Sequence, residues 1–220
     1  MEIKDCASSA DFWESCWQSE NSEELYGYLK KYQHMDSPEI DLFKARGLRK
    51  ICDAACGFGA YTLAFLSRGF QVESFDISPR AVEITRVGLR RFGYADVPCK
   101  AADILSTGYS DEAFDGMVAH SVLDHLTVAN AQKALTELMR ITRPGGLILL
   151  SFDTAEEDDF RHAHILLPDG SLQYTGSGKR SGMIFHPYDR AGIRKLLEGY
   201  NIIYESVNQK DEQIAVIQKG

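Results

Sequence analysis

Residues 51–66 read Ile51-Cys52-Asp53-Ala54-Ala55-Cys56-Gly57-Phe58-Gly59-Ala60-Tyr61-Thr62-Leu63-Ala64-Phe65-Leu66. A short apolar run gives way to small residues and then to apolar residues at helical spacing, which predicts a strand, a sharp turn and a helix. That is the opening unit of a wound α/β sheet. Gly57 and Gly59 mark backbone that turns to positive φ or lets a neighbour approach where a Cβ would stand in the way. In open α/β sheets ligands sit at the carboxyl ends of the strands, beside helix N-termini, and this loop occupies that place.

Strand and helix patterns alternate downstream. Arg68-Gly69 ends the first helix, and Phe70–Ile77 is rich in β-formers, with Asp76 near its end. Ser78-Pro79 starts a helix whose inner face carries Ala81, Ile84 and Gly88. Asp96–Ala102 predicts a third strand closed by Asp103, and Phe114–His120 a fourth that runs into Ser121-Val122-Leu123-Asp124-His125-Leu126. Ala131, Leu135, Leu138 and Thr142 give the next helix its inward stripe. Arg143-Pro144-Gly145-Gly146 breaks that helix ahead of a fifth strand, Leu147–Phe152, apolar as a central parallel strand should be.

Before this core, Phe12, Trp13 and Trp17 lie on a helical stretch, with the tryptophans at i, i+4. Asn21 and Ser37-Pro38 each signal a further helix start. After the core, Glu156–Asp159 is an acidic run that reads as a solvated face. Ile165–Leu172 reads as a hairpin around Pro168-Asp169-Gly170, followed by the Gly-rich link Thr175–Gly178. A last helix begins at Pro187-Tyr188, and Ile202–Val207 and Gln213–Ile217 close the chain as a hairpin. The organisation expected is a single domain, 1–220. Residues 1–48 form an N-terminal helical extension, 49–153 a ligand-binding core, 154–187 a substrate-side insertion, and 188–220 the C-terminal helix and hairpin.

Composition narrows the function classes. The chain has 220 residues, 44% hydrophobic and 25% charged, with 24 Lys+Arg against 32 Asp+Glu for a net charge of −8. An acidic chain without a basic cluster repels phosphate backbones, which disfavours a nucleic acid partner. No apolar run approaches the about 18 residues of a membrane span and no basic, apolar N-terminus marks a signal peptide, so no membrane partner and a cytoplasmic location are expected. The five cysteines, Cys6, Cys16, Cys52, Cys56 and Cys99, show neither a disulfide framework nor a zinc spacing. They read as buried inert thiols, with Cys6 and Cys16 as an alternative thiol-reactive or metalloid site. No metal is expected.

Asp76 stands 23 residues after Asp53, at the end of the second strand. A carboxylate there offers two acceptor oxygens to the two hydroxyls of a ribose; the other reading is a helix-capping Asp before Ile77-Ser78-Pro79. The dinucleotide fingerprint G-x-G-x-x-G fails, because Thr62 replaces its third glycine. Asp53-x-Ala55-x-Gly57-x-Gly59 instead resembles motif I, D/E-x-G-x-G-x-G, of the class I S-adenosylmethionine-dependent methyltransferases, with alanine in place of the first glycine. Asp103-Ile104, the Phe114-Asp115-Gly116-Met117-Val118 strand running into Ser121–Leu126, and Arg143–Gly146 resemble later motifs of that family, in order and at its spacing. The resemblance covers about residues 48–153, with a compatible ending to 218, and is closest to the small-molecule type, methyltransferase domain 11/25-like.

This resemblance implies a Rossmann-like, seven-stranded sheet of order 3-2-1-4-5-7-6 with the last strand antiparallel, and S-adenosyl-L-methionine as cofactor. The backbone at Ala55, Gly57 and Gly59 would pass beside the methionine portion, Asp53 would organise the loop or meet the amino group, and Cys56 is a further cofactor-binding candidate. Asp76 would hold the ribose, Ile77 would pack on the adenine, Asp103 and Ile104 would fix its edge, and Ser121 and Val122 would floor the sulfonium. Phe12-Trp13-Glu14 and Trp17 resemble the start of thiopurine- and tellurite-type methyltransferases, where the aromatic segment covers the cofactor; a plain core stripe is the other reading. The implied activity is methyl transfer to a small-molecule O, N, S or metalloid acceptor. Methyl transfer obliges no particular catalytic residue, and the candidate bases are His120, Asp124 and His125, then His162, His164, Tyr174 and His186. The strand-four end lacks the Asn/Asp-Pro-Pro-Tyr segment of amino-methylating nucleic acid enzymes, which favours a small-molecule acceptor. A non-catalytic cofactor-binding regulator and an NAD(P)-dependent oxidoreductase are the rivals, and monomer and homodimer both stay open.

Overall fold

The computed structural model describes residues 9–220, so Cys6 lies outside the described residues. Three helices come first: α1 (Ser9–Ser19), α2 (Ser22–Tyr32) and α3 (Pro38–Ala45). Asn21 caps α2 by accepting the Glu23 N–H, and Ser37 caps α3 by accepting the Ile40 N–H with Pro38 in the first turn. Each such cap satisfies an orphan donor and contributes about 1 kcal/mol.

The core follows as β1 (Lys50–Ala54), α4 (Ala60–Ser67), β2 (Gln71–Asp76), α5 (Pro79–Arg91), β3 (Cys99–Ala101), β4 (Phe114–His120), α6 (Val128–Ile141) and β5 (Thr142–Phe152). The chain ends with α7 (Glu157–Arg161), β6 (His164–Leu166), β7 (Leu172–Tyr174), β8 (Ile184–Phe185), α8 (Arg190–Leu196), β9 (Asn201–Val207) and β10 (Gln213–Gln218). The main sheet has the order β3-β2-β1-β4-β5-β10-β9, and β6-β7-β8 form a separate three-stranded sheet. All pairings from β3 to β5 are parallel, while β10 runs antiparallel to both β5 and β9. Counted within its own sheet this is the order 3-2-1-4-5-7-6, with the final strand reversed.

Alternation along the strands sorts the core into two layers. Cys52, Met117, Ala119, Ile148 and Leu150 face α6 and α8, whereas Ile51, Val118, Leu149 and Val216 face α3 and α4 through Phe43, Tyr61 and Phe65. Both faces are covered, so the strands are apolar throughout, as a parallel sheet requires. Each fully buried Leu, Ile or Phe side chain contributes about 1.5–3 kcal/mol of transfer free energy.

Three segments differ from the sequence reading. The third strand keeps only three residues, since its hydrogen bonds to β2 extend from Cys99 to Ala101. The fifth begins at Thr142: Phe114 pairs with Thr142, and Gly116 with Leu147, so Arg143–Gly146 forms a bulge over Gly145 at φ +76°. The Gly145 N–H donates to Lys219 O, and the Lys219 ammonium donates to Thr142 O, which hold this bulge against the C-terminal segment. The acidic run forms α7, in which Glu156 and Asp159 make a capping box. Asp159 is tied to Arg180 at 2.5 Å, so one member of the run is committed to an ion pair. Among the described residues, no helix is long and apolar enough to cross a membrane.

Gly116 shows how tightly α3 is docked. A Cβ built there would stand 2.7 Å from the Phe43 ring and 3.1 Å from Leu147 O. Gly116→Ala should therefore cost about 1–3 kcal/mol by overpacking, read as a lower urea midpoint. An unchanged midpoint would show that α3 can retreat freely.

Candidate active site

A cleft of about 460 Å³ opens at the carboxyl ends of β1, β2 and β4. Its back wall is the loop between β1 and α4. Ala55, Gly57 and Gly59 all have left-handed backbone, with φ of 55°, 56° and 86°. For Ala55 that conformation costs roughly 1–2 kcal/mol, so the alanine that departs from motif I occupies a position suited to glycine.

Asp76 fastens this loop to the next one. Its Oδ2 accepts the Gly57 N–H and its Oδ1 accepts the Ser78 N–H, each at 2.9 Å. Burial pushes the Asp76 carboxyl up, and the backbone N–H groups work against that rise. Asp53, at the end of β1, accepts the Thr62 hydroxyl at 2.6 Å. Burial pushes its carboxyl up to about 7.

Ala55, Cys56, Gly57, Asp53, Asp76, Ile77, Asp103, Ile104, Ser121, Val122 and Trp13 all line the cleft. Gly59 does not, because it caps α4 and lies against Thr85, whose Cγ2 would be 3.0 Å from an added Cβ. Asp103 Oδ1 accepts the Leu105 N–H, which sets the loop after β3.

Helix α1 bridges the mouth. Glu14 accepts the Ser78 hydroxyl at 2.6 Å and the Arg80 N–H at 3.1 Å, so it caps α5 from another element. The Ser78 hydrogen bond is the main force holding the Glu14 carboxyl below its ordinary value. A Cβ on Gly57 would meet the Trp17 ring at 2.9 Å, and Trp13 packs edge-on against His125 at 5.1 Å. Glu14 and the spacing of its partners were not legible in the sequence, because a cap from a distant helix has no local signature.

At the far end Ser121 is itself left-handed, at φ 49°. Its N–H donates to Ser151 Oγ, and its hydroxyl donates to Asp153 Oδ1 at 2.7 Å. His120 has both ring nitrogens engaged, with Ser121 Oγ at 3.2 Å and Glu212 at 3.1 Å, and its ring lies 4.4 Å from that of Tyr61. His125 lines the cleft, whereas Asp124 is buried behind it.

His162, His164, Tyr174 and His186 lie away from the cleft lining; His162 pairs with Asp158, and His186 with Ser171. No residue of the 154–187 segment lines the cleft; that segment backs it through the Ile184 carbonyl and Phe185 against His125. Lys210 and Glu212, from the turn between β9 and β10, take that place instead. Burial would raise the Glu212 carboxyl, but hydrogen bonds from His120 and Asn208 hold it below its ordinary value.

The family described as a methyltransferase domain matches residues 52–150. The order of the seven-stranded sheet, with its reversed last strand, is that of the class I methyltransferase fold. Over 130 residues the chain is 29% identical to a malonyl-[acyl-carrier protein] O-methyltransferase of Serratia marcescens, covering 54% of this chain and 48% of that protein. The chain thus spans about half the length of this curated relative. Among solved structures, a magnesium protoporphyrin IX methyltransferase from Synechocystis PCC 6803 superposes with a TM-score of 0.59 at 17% identity, over 98% of this chain and 93% of that one. A [4+2]-cyclase superposes with a TM-score of 0.58 at 18% identity, over 82% and 79%. These structural likenesses concern the fold.

The raised Asp53 has a pH consequence. Its folded-state pKa of about 7 exceeds the ordinary 3.8, so its contribution to stability is complete below pH 3.8 and is lost as pH rises through about 7. Asp53→Asn should flatten the fall in urea midpoint between pH 4 and 8. Equal slopes in the two proteins would show that the group ionises freely.

Proposed function

We propose that this protein binds S-adenosyl-L-methionine in the cleft and transfers its methyl group to a small molecule. The observation that carries the reading is the junction of the left-handed 55–59 loop with Asp76 at the carboxyl ends of adjacent parallel strands. The residues present fit the cofactor. A volume of about 460 Å³ lies in the range of small-ligand sites. Ile77, Ile104 and Leu105 supply an apolar wall for a flat base. Asp76, Asp103, Asp153 and Glu212 outnumber Lys210 along the lining, which suits a ligand with two cationic groups and one carboxylate.

Asp76 would hold the ribose. An ionised carboxylate has about four acceptor sites, and the two backbone N–H groups leave room for two hydroxyls. Asp103 and Ile104 would border the base, Asp53 would meet the amino group, and Ser121 and Val122 would floor the reactive centre. The cofactor supplies an electrophilic methyl group, so the chain's task is alignment and exclusion of water. Trp13 and Trp17, held by the Glu14 cap, would cover the cleft. The acceptor would enter beside Ser121, His120 and Lys210. The malonyl group in the curated relative's name supports an acceptor of small size, and the strand-four end lacks the segment of amino-methylating nucleic acid enzymes. A cofactor-binding regulator without catalysis is the second reading, because the cleft obliges no catalytic side chain and a fold alone does not fix what is done to its ligand.

Calorimetric titration with S-adenosylmethionine and S-adenosylhomocysteine, with NADH as control, tests the binding half. Micromolar binding of the two adenosyl ligands alone is expected, and no binding of either would overturn the assignment. Asp76→Ala should lose about 1.5–3 kcal/mol of binding free energy for each charged hydrogen bond removed. Unchanged affinity would displace the ribose from Asp76. Labelled-methyl transfer to a panel of small acceptors then separates enzyme from regulator.

A further inference from the structure

Behind Ser121, three side chains each have one polar atom committed and one left over. Asp124 Oδ2 accepts the Asp153 N–H at 2.9 Å, while Oδ1 is fully buried and meets no hydrogen-bond partner. His125 Nδ1 lies 3.3 Å from the Ile184 carbonyl oxygen. A carbonyl only accepts, so Nδ1 carries the hydrogen and Nε2 is the nitrogen left to meet a cation. Asp153 Oδ1 accepts the Ser121 hydroxyl, which leaves Oδ2, and that atom stands 3.9 Å from His125 Nε2. That separation is too long for a hydrogen bond. One donor atom from each residue lies within 4.8 Å of the other two.

Two carboxylates beside one another, one of them buried, repel unless a cation lies between. Metal–ligand bonds of about 2.1 Å place neighbouring donors roughly 3–4 Å apart, so modest side-chain movement would close the cluster. The Nδ1–H of His125 on a backbone carbonyl is also the contact that orients a metal-bound imidazole. We propose that Asp124, His125 and Asp153 form a site for a divalent first-row cation, of which Mn(II) and Zn(II) suit the mixed imidazole and carboxylate set.

Asp153 and His125 both reach the cleft lining, so the open coordination positions face the cleft beside Ser121. This points to an acceptor whose hydroxyl or enol oxygen becomes a further ligand. A bound cation lowers the pKa of that oxygen and so takes over the work of a base. The O–H proton leaves to water, the oxygen lone pair forms the O–CH₃ bond, and the electron pair of the broken S–CH₃ bond stays on sulfur. The acceptor class rests on the methyl-transfer reading; the cation site does not. The competing arrangement lies beside it. The Tyr188 hydroxyl is also buried without a partner and feels the Asp124 charge. A hydrogen bond or water shared by those two would satisfy Asp124 without a metal.

The test is a Mn(II) titration of the full chain, followed through the electron paramagnetic resonance signal of the free ion, with Zn(II) added in competition. Wild type, Asp153→Asn, His125→Gln and the remote surface control Glu157→Gln are compared, with thermal melts to verify folding. A single Zn(II)-displaceable site in wild type and control, at least about tenfold weaker in both cleft variants, is the expected result. Wild-type binding weaker than about 1 mM, or equal binding in all four proteins, overturns it; equal binding would assign the ion to the acidic surface. Calorimetry with S-adenosylhomocysteine on the same samples separates the two proposals. Adenosyl binding without Mn(II) sinks the cation site alone, and Mn(II) binding without the adenosyl ligand supports the site while removing methyl transfer.

Discussion

Two backbone N–H groups, those of Gly57 and Ser78, converge on one buried carboxylate at the end of β2. Asp76 thereby locks the β1–α4 loop to the start of α5, and the cleft takes its shape from that junction. Gly57 makes this contact from left-handed backbone, at φ 56°, a conformation that glycine adopts without the cost of a Cβ. It is reinforced from above, because Ser78 also donates to Glu14 and so brings α1 over the same spot. Loop, strand end and roof therefore form one unit, and a disturbance of any part reaches the other two.

What the sequence revealed followed local chemistry. The 51–66 stretch, the Ser78-Pro79 start and the capping signals at Asn21 and Ser37 are decided by residues within a turn of one another, and they appear as read. Asp76 was legible as a strand-end carboxylate and as a partner for the helix start at Ser78, but its hold on the Gly57 N–H was not, because that contact crosses from one strand to the next. Lys210 and Glu212 were not, since they reach the cleft only because β10 inserts between β5 and β9, while Asp153 enters it at the carboxyl end of β5 beside β4, where the sequence reading closed the core at residue 153. No periodicity records such an insertion. The acidic run at Glu156–Asp159 was half-legible: its exposure follows from composition, but the Asp159–Arg180 pair joins elements that only the small second sheet brings together. The expectation that this segment would border the acceptor met the same obstacle, for it packs one layer behind His125.

The scaffold and the chemistry are separable here. A parallel sheet with a glycine-bearing loop explains why a nucleoside-like ligand is held at the strand ends. It does not say what is done to it, as a cyclase on the same fold makes plain. The distinguishing features are all outside the first loop: the strained Ser121, the engaged His120 and the acidic far wall. They are the parts to which an acceptor, rather than a cofactor, would answer.

The acidic lining has a further consequence for turnover. Methyl transfer removes one positive charge from the cofactor, because a sulfonium becomes a thioether. The carboxylates at Asp153 and Glu212 would then face a spent ligand with less cationic character than the one that entered. Attraction weakens once the reaction is over, while the contacts to ribose and base stay the same. The cleft would thus discriminate between fresh and spent cofactor by charge alone, which eases exchange and limits inhibition by the accumulated product.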